Sequence, residues 1–111
     1  MTPAFPPRRI RAAKITEYLL NASHEIGSAK AAYFTSFGFS RHEWERLALA
    51  LQTHPDRHPV DETRTDEWGT RFAVRCSIVT PDGRNPCIVS VWIVRVGRDE
   101  AELVTAYPAG D

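Results

Sequence analysis

The sequence predicts an α+β domain, in which N-terminal helices pack on a C-terminal antiparallel β-sheet meander of three to four strands. Up to residue 54 the apolar residues recur every three or four positions, the spacing of one helix face. From residue 71 they alternate with polar residues, as is typical of half-buried strands. Helices that precede a run of strands indicate an α+β fold rather than alternating α/β units.

Three helices are predicted in the first half. They cover residues 15–21, 30–37 and 39–54. The third is the most clearly marked, because Ser40 and Glu43 have the spacing of a capping box. In the first helix Ile15, Tyr18 and Leu19 have the spacing of one helix face.

Three strands are predicted in the second half, at residues 71–78, 87–96 and 101–107. The sequence TPDGR between the first two predicts a turn with positive φ at Gly83, and GRDE predicts the next turn. Residues 54–69 are polar and contain prolines, which predicts a long loop.

A single domain is expected from the length of 111 residues. Residues 1–13 are rich in proline and are predicted to be an extended or disordered lead-in outside the core, with the domain at residues 14–108. The chain has 14 basic and 14 acidic residues, so its net charge does not indicate a nucleic-acid partner. No apolar run is long enough to span a bilayer and no signal peptide is apparent, so no membrane partner and a cytoplasmic location are expected.

Motifs for cofactors and metals are weak or missing. Neither a glycine-rich phosphate loop nor a paired-thiolate motif is present, so no cofactor is expected, and Cys76 and Cys87 are predicted to be ordinary buried thiols. His54 and His58 have a spacing that could hold a metal ion on a helix. Because prolines flank both histidines, a linker is the favoured interpretation and no metal is expected.

Several polar residues are of the types that cleave a phosphodiester without metal. The catalytic candidates are His24, Lys30, Arg75, Arg84, Thr105 and Tyr107. RNA cleavage needs a base for the 2′-hydroxyl, an acid for the leaving 5′-oxygen and donors that stabilise charge on the phosphate. Histidine titrates near neutral pH, while lysine and arginine bind phosphate. The alternative is structural, since arginines that alternate out of a strand usually form its solvated face.

The order of several motifs resembles a family of small uncharacterised bacterial domains. The motifs are KITEYLLN, a His and a Gly before KAAYF, FGFS with a following Trp, and SVWIVR leading to LVTAYP, so the resemblance runs from Lys14 to Pro108. Such domains occur beside a small partner gene and at the tips of larger toxin-like proteins. The resemblance therefore implies a toxin that a small antitoxin or immunity protein neutralises.

The layout also resembles the broad superfamily of barnase, EndoU, colicin and RelE type ribonucleases. This resemblance implies that His24 and Lys30 are the N-terminal basic pair and that Thr105 contacts phosphate, with Tyr107 beside it. An arginine of the sheet would complete the set. The candidates are Arg84 first and Arg75 second. Leu103, Thr105 and Tyr107 are predicted to share one face of the last strand, because successive side chains alternate.

Two functional hypotheses follow. The first is a metal-independent endoribonuclease toxin that cuts an RNA substrate, with the catalytic candidates converging on one exposed patch. The second is a non-catalytic module that docks a small partner protein through its sheet, with an apolar surface near Trp68 and Trp92. A third, purely structural interpretation makes His24 a turn residue and Lys30 a surface charge.

Overall fold

The structure, a computed structural model, describes residues 5–25 and 27–110. The helices are α1 (Ala12–Lys14), which continues as a π-helical turn through Ile15–Leu19, α2 (Ser28–Thr35) and α3 (Trp44–Arg57). The strands are β1 (Arg8–Arg9), β2 (Val60–Asp66), β3 (Gly69–Ser77), β4 (Cys87–Arg95) and β5 (Ala101–Pro108). The predicted α+β class is confirmed, with five strands in place of three to four.

The strands form one mixed sheet in the order β1-β5-β4-β3-β2. Strands β2 to β5 are an antiparallel meander, and β1 pairs with β5 in parallel. The prediction of a loop over residues 54–69 is wrong, because β2 lies within it. All seven residues of β2 are exposed. A strand that buries neither face carries no apolar alternation in its sequence, and its charged residues protect an exposed sheet edge.

Part of the N-terminal lead-in belongs to the core, contrary to expectation, although residues 1–4 lie outside the described part. The ring of Phe5 packs edge-on against Phe72 and Trp92, at centroid distances of 5.7 and 5.8 Å. Arg8 donates to the carbonyl oxygen of Gln52 at 2.7 Å and pairs with Asp56 at 2.9 Å, both on α3. The lead-in therefore contacts both the sheet and helix α3.

Helices α2 and α3 differ from prediction at their ends. Ser40 Oγ accepts the N–H of Glu43 at 3.2 Å, as half of a capping box would, but α3 begins only at Trp44. The same helix runs through Pro55 to Arg57, which the sequence argued against. Pro55 lies two residues before the end of α3, so the distortion that its ring causes affects only the last turn of the helix. Helix α2 begins at Ser28 without a side-chain cap.

The core lies between the helices and one face of the sheet. Its fully buried members include Ile15, Leu19, Phe34, Leu47, Leu51, Val74, Ile88, Trp92 and Ala106. Of the two tryptophans expected to mark an apolar surface, Trp92 is 0% exposed and lies in the core, whereas Trp68 is 63% exposed. Cys76 and Cys87 are exposed, not buried as expected. No helix in the described residues is long and apolar enough to cross a membrane.

A buried chain of hydrogen bonds anchors α3 to the sheet. The Trp92 indole N–H donates to Ser90 Oγ at 2.9 Å, and the Ser90 hydroxyl lies 2.8 Å from His54 Nδ1. His54 Nε2 lies 2.9 Å from the Cys76 carbonyl oxygen. Because a carbonyl only accepts, His54 carries its proton on Nε2, and Nδ1 accepts from Ser90. His54 is thus a core residue and not part of a linker.

The second histidine of this pair is also held by backbone. His58 Nε2 lies 2.8 Å from the Ser77 carbonyl oxygen, and its ring centroid is 5.2 Å from that of His54. Within residues 5–25 and 27–110, no three His, Cys, Asp or Glu side chains form a group that could hold a metal ion.

Candidate functional site

Tyr18 lies at the centre of a polar cluster between the first helical segment and β5. Its hydroxyl is 3.1 Å from Thr105 Oγ1. The π-helical turn buries Ile15 and Leu19 completely and leaves Tyr18 half-buried. A π-helical turn has more residues per turn than an α-helical turn, so Leu19 stays on the buried face of Ile15 whereas Tyr18, three positions after Ile15, is rotated away from it. This turn therefore separates Tyr18 from the core residues with which its spacing grouped it.

Both lysines of the chain lie over the Tyr18 ring. The sequence contains only Lys14 and Lys30, and their ammonium nitrogens lie 5.2 and 5.4 Å from the ring centroid. Burial acts to raise the pKa of the Tyr18 phenol. Hydrogen bonding to Thr105 and Lys30, with the charges of Lys30 and Lys14, outweighs burial and holds the pKa below its usual value. The site therefore favours the phenolate more than water does.

His24 packs against the other side of the cluster. Its ring stands edge-on to Tyr18 with the centroids 5.2 Å apart. The backbone N–H of Gly27 donates to His24 Nδ1 at 2.8 Å. A nitrogen that accepts carries no proton, so in this arrangement the neutral His24 ring carries its proton on Nε2. The ring is held in one tautomer and one orientation.

Gly27 allows the loop that carries His24 to approach Tyr18. Its φ is −83°, so a positive φ is not the reason for glycine here. A Cβ at this position would collide with the Tyr18 carbonyl oxygen and would lie 2.9 Å from Tyr18 Cδ1. Glycine is therefore required by the close packing of the two segments.

A β-bulge in β5 determines which residues share a face with Thr105. Thr105 pairs with Val91, whereas Leu103 pairs with the next β4 residue, Trp92. Adjacent β4 side chains point to opposite faces, so Leu103 and Thr105 do as well. The prediction that Leu103, Thr105 and Tyr107 share a face is thus wrong for Leu103, which is 5% exposed and packs in the core.

Tyr107 and the two candidate arginines lie elsewhere. Arg84 binds the Asp82 carboxylate at 2.6 Å and its guanidinium stacks 4.4 Å from the Phe37 ring centroid. It also donates to the Ser36 carbonyl oxygen, just beyond the end of α2, whereas Lys30 lies in the first turn of that helix. Arg84 and Lys30 are thus at opposite ends of α2.

Arg75 lies on β3, two strands away from β5, and donates to the Gly110 carbonyl oxygen at 2.6 Å. Tyr107 is 39% exposed and pairs with Val89, the β4 residue that also pairs with Arg75. The structure therefore brings His24, Lys30 and Thr105 together, and leaves the other three candidates outside the contacts around Tyr18.

Sequence reasoning missed two members of the cluster, Tyr18 and Lys14. The spacing of four between them places a cation beside a phenol on one helix face, and this is the signal that could have found them. Chemically, the cluster combines a phenol of lowered pKa, two ammonium groups, an imidazole and a hydroxyl, all near the surface. It can bind an anion and transfer a proton without a metal ion.

Comparisons with known proteins found a matching family model and a solved structure of similar fold. The model of a family described as a domain of unknown function matches residues 7–110. A chain in the structure of a contact-dependent growth inhibition toxin and immunity protein complex from Klebsiella pneumoniae 342 is similar, with a TM-score of 0.70 and 15% identity. The similarity covers 90% of this chain and 98% of that chain. It shows a shared fold. No curated protein matches the chain.

Proposed function

The chain belongs to the family DUF6883, whose model matches all but its ends, and we propose that it is a toxin that acts as a metal-independent endoribonuclease. The observation that carries the proposal is the convergence of Lys14, Lys30, His24 and Thr105 around the Tyr18 side chain. These groups come from the first helical segment, the following loop, α2 and β5. Capping and core packing do not account for so many polar groups at one point.

In the proposed reaction the scissile phosphate binds between the two ammonium groups. Lys14 and Lys30 neutralise its non-bridging oxygens and stabilise the charge that builds on them in the transition state. The RNA 2′-oxygen attacks phosphorus, the bond to the 5′-oxygen breaks, and a 2′,3′-cyclic phosphate forms. The lysines bind the reacting group, while the neighbouring side chains move the protons.

Tyr18 is the proposed acid. Its phenol gives a proton to the departing 5′-oxygen, and the phenolate that results is stabilised by the lysines that lower the pKa of Tyr18. Thr105 Oγ1, 3.1 Å from the phenol oxygen, orients the hydroxyl. The effective acid strength of Tyr18 therefore depends on both lysines.

His24 is the proposed base for the 2′-hydroxyl. Its lone pair is on Nδ1, which accepts the Gly27 N–H, so the base can act only after substrate binding displaces that hydrogen bond. The loop that contains Gly27 packs closely against Tyr18, so a movement of this loop would change the positions of His24 and Tyr18 together. Arg84, Arg75 and Tyr107 are assigned no chemical step.

The shared fold supports the toxin half of the proposal. The similar chain comes from a complex of a growth inhibition toxin with its immunity protein. By analogy, we propose that a small cognate immunity protein or antitoxin binds this chain and blocks the site. Fold similarity alone does not determine activity, so the chemistry rests on the cluster around Tyr18.

Cleavage of RNA by the purified chain in the presence of EDTA tests the proposal. We expect products with 2′,3′-cyclic phosphate ends, and a loss of rate of about 10²-fold or more in Tyr18→Phe. Tyr33→Phe is the matched control, because Tyr33 packs against Phe34 and Phe37 and not in the cluster. A folded wild-type chain that leaves RNA intact, or equal rates for Tyr18→Phe and Tyr33→Phe, would overturn the assignment.

The second candidate is a non-catalytic protein that binds a small partner. It is favoured by an apolar cavity of about 330 Å³ beside α3, whose lining includes Leu49 and Val79, which are 65% and 48% exposed. The same assay separates the two functions. A binding protein would leave RNA intact, and Leu49→Asp would weaken its complex while Tyr18→Phe would not.

A further inference from the structure

A second concentration of positive charge lies beside the Tyr18 cluster, where β1 meets the ends of β4 and β5. We call it the arginine cleft. Its cationic residues are Arg9, Arg11, Lys14, Arg95 and Arg98. It forms a cavity of about 470 Å³, and a neighbouring cavity of about 480 Å³ shares the four arginines but is also lined by Asp99, Glu100 and Glu102. The 470 Å³ cavity, with five cationic residues, is therefore a locally basic surface on a chain with no net charge.

The positive charge of the 470 Å³ cavity is only partly compensated. Glu102 is the one carboxylate among the described residues that line it, and Glu102 lies 3.8 Å from Arg11 and 3.8 Å from Arg95. Both distances are near the outer limit of an ion pair. In the described residues, no carboxylate lies within ion-pair distance of Arg9, Arg98 or Lys14. Like charges held together repel, and a bound anion would relieve the repulsion.

Lys14 connects the cleft to the proposed active site. Its side chain lines the cleft, and its ammonium nitrogen lies 5.2 Å from the Tyr18 ring centroid. A polyanion that places one phosphate at Tyr18 therefore has its neighbouring phosphates directed along the arginines. The cleft is also lined by the half-buried Val104, which offers a small apolar surface to a sugar or base.

We propose that the arginine cleft is a phosphate subsite that binds the RNA strand next to the scissile bond, an inference that rests on the proposed function. The volume suits a nucleotide-sized group, since ligand cavities span about 300 to 1,000 Å³. Arginine guanidinium groups bind phosphate in two-pronged geometry. A protein partner would instead need a contact of about 800 Å² on each side. The substrate class is thus a single-stranded RNA longer than the two nucleotides at the reaction centre.

Binding of an uncleavable RNA tests the subsite without catalysis. The probe is a fluorescein-labelled, ten-nucleotide RNA with 2′-O-methyl groups, which lacks the attacking hydroxyl. We expect its affinity in the wild type to fall with salt, and the slope of log K against log salt to decrease by about 1.4 in Arg9→Gln/Arg98→Gln, at about 0.7 for each lost phosphate contact. Neither arginine forms an ion pair with a carboxylate in the described part of the chain, so the two substitutions leave no carboxylate without its partner.

Arg41→Gln/Arg57→Gln is the matched control, because both arginines are exposed, pair with no carboxylate among the described residues and lie outside the cleft. It should reduce the slope by less than the cleft variant. Arg98→Gln alone, in the exposed β4–β5 turn, replaces the double variant if the latter does not fold, with an expected decrease of about 0.7.

The outcomes separate this inference from the proposed function. Cleavage that depends on Tyr18, with the same salt slope in the cleft variant and the wild type, overturns the subsite and leaves the enzyme. Salt-dependent binding through the cleft with no cleavage of ordinary RNA supports the anion site and overturns the enzyme. A cleft variant that loses only an acidic protein partner, and binds the RNA probe normally, overturns the subsite.

Discussion

Substitution of Ser90 by alanine should destabilise the fold far more than the loss of one hydroxyl suggests. Ser90 Oγ accepts from the Trp92 indole and donates to His54 Nδ1, and all three residues are 1% exposed or less. Alanine has no polar side-chain atom. The substitution therefore leaves a donor and an acceptor unpaired in the core at the same time.

The magnitude follows from those two unpaired groups. A buried polar group without a partner costs about 1 to 3 kcal/mol. Two such groups imply a loss of about 2 to 6 kcal/mol in the free energy of unfolding. Small domains have only about 5 to 15 kcal/mol in total, so Ser90→Ala should shift the urea midpoint strongly.

Urea unfolding at pH 7.5 measures this loss, with Ser36→Ala as the matched control. The Ser36 hydroxyl donates to the Tyr33 carbonyl oxygen at 2.6 Å in an exposed position, so its removal should cost within about 0.5 kcal/mol. Equal urea midpoints for the Ser90→Ala and Ser36→Ala variants would refute the argument that the buried chain of hydrogen bonds through Ser90 anchors α3.

Two further predictions concern His54 and Gly27. Burial is the main cause that lowers the pKa of His54 from 6.5. The contribution of neutral His54 to stability is therefore complete above about pH 6.5. Below that pH the unfolded chain takes up a proton first, and the free energy of unfolding falls by at most about 1.4 kcal/mol per pH unit until folded His54 is protonated as well. Urea midpoints measured from pH 7.5 to 5.0 should show this fall. The His42→Gln variant, which changes an exposed histidine, should show the same fall. A midpoint that does not change with pH would contradict the prediction. Gly27→Ala should cost about 1 to 3 kcal/mol and reduce RNA cleavage, because its Cβ collides with Tyr18. Gly110→Ala, where a Cβ meets nothing within 4 Å, is the control, and equal behaviour of the two variants would contradict the packing argument.

The parts of the fold that bury one face could be predicted from the sequence. Strand β3 alternates apolar and polar residues because the helices cover one side of the sheet, whereas the central strand β4 is an almost continuous apolar run with buried residues on both faces. Strand β2 could not be predicted, because all its residues are exposed and only pairing with β3 defines it. Strand β1 consists of two residues paired in parallel with a segment more than 90 positions later, a contact that no local pattern encodes.

The candidate site divides in a similar way. His24, Lys30 and Thr105 were predicted by residue type and resemblance, and the structure brings them together. Tyr18 was grouped with Ile15 and Leu19 on one helix face, because its spacing to Ile15 is that of an α-helix and the π-helical turn cannot be seen in the sequence. Arg84 was misplaced because stacking on Phe37 and pairing with Asp82 hold it at the far end of α2.

The position of both lysines over one tyrosine affects how the protein can be handled. Apart from the N-terminal amine, Lys14 and Lys30 are the only primary amines in the chain. Amine-reactive dyes, crosslinkers and sensor-chip coupling would therefore modify the candidate site preferentially. Attachment through the exposed thiols of Cys76 or Cys87 would leave both ammonium groups available. The same selectivity makes reductive methylation with a ¹³C label a direct spectroscopic probe of the surroundings of Tyr18.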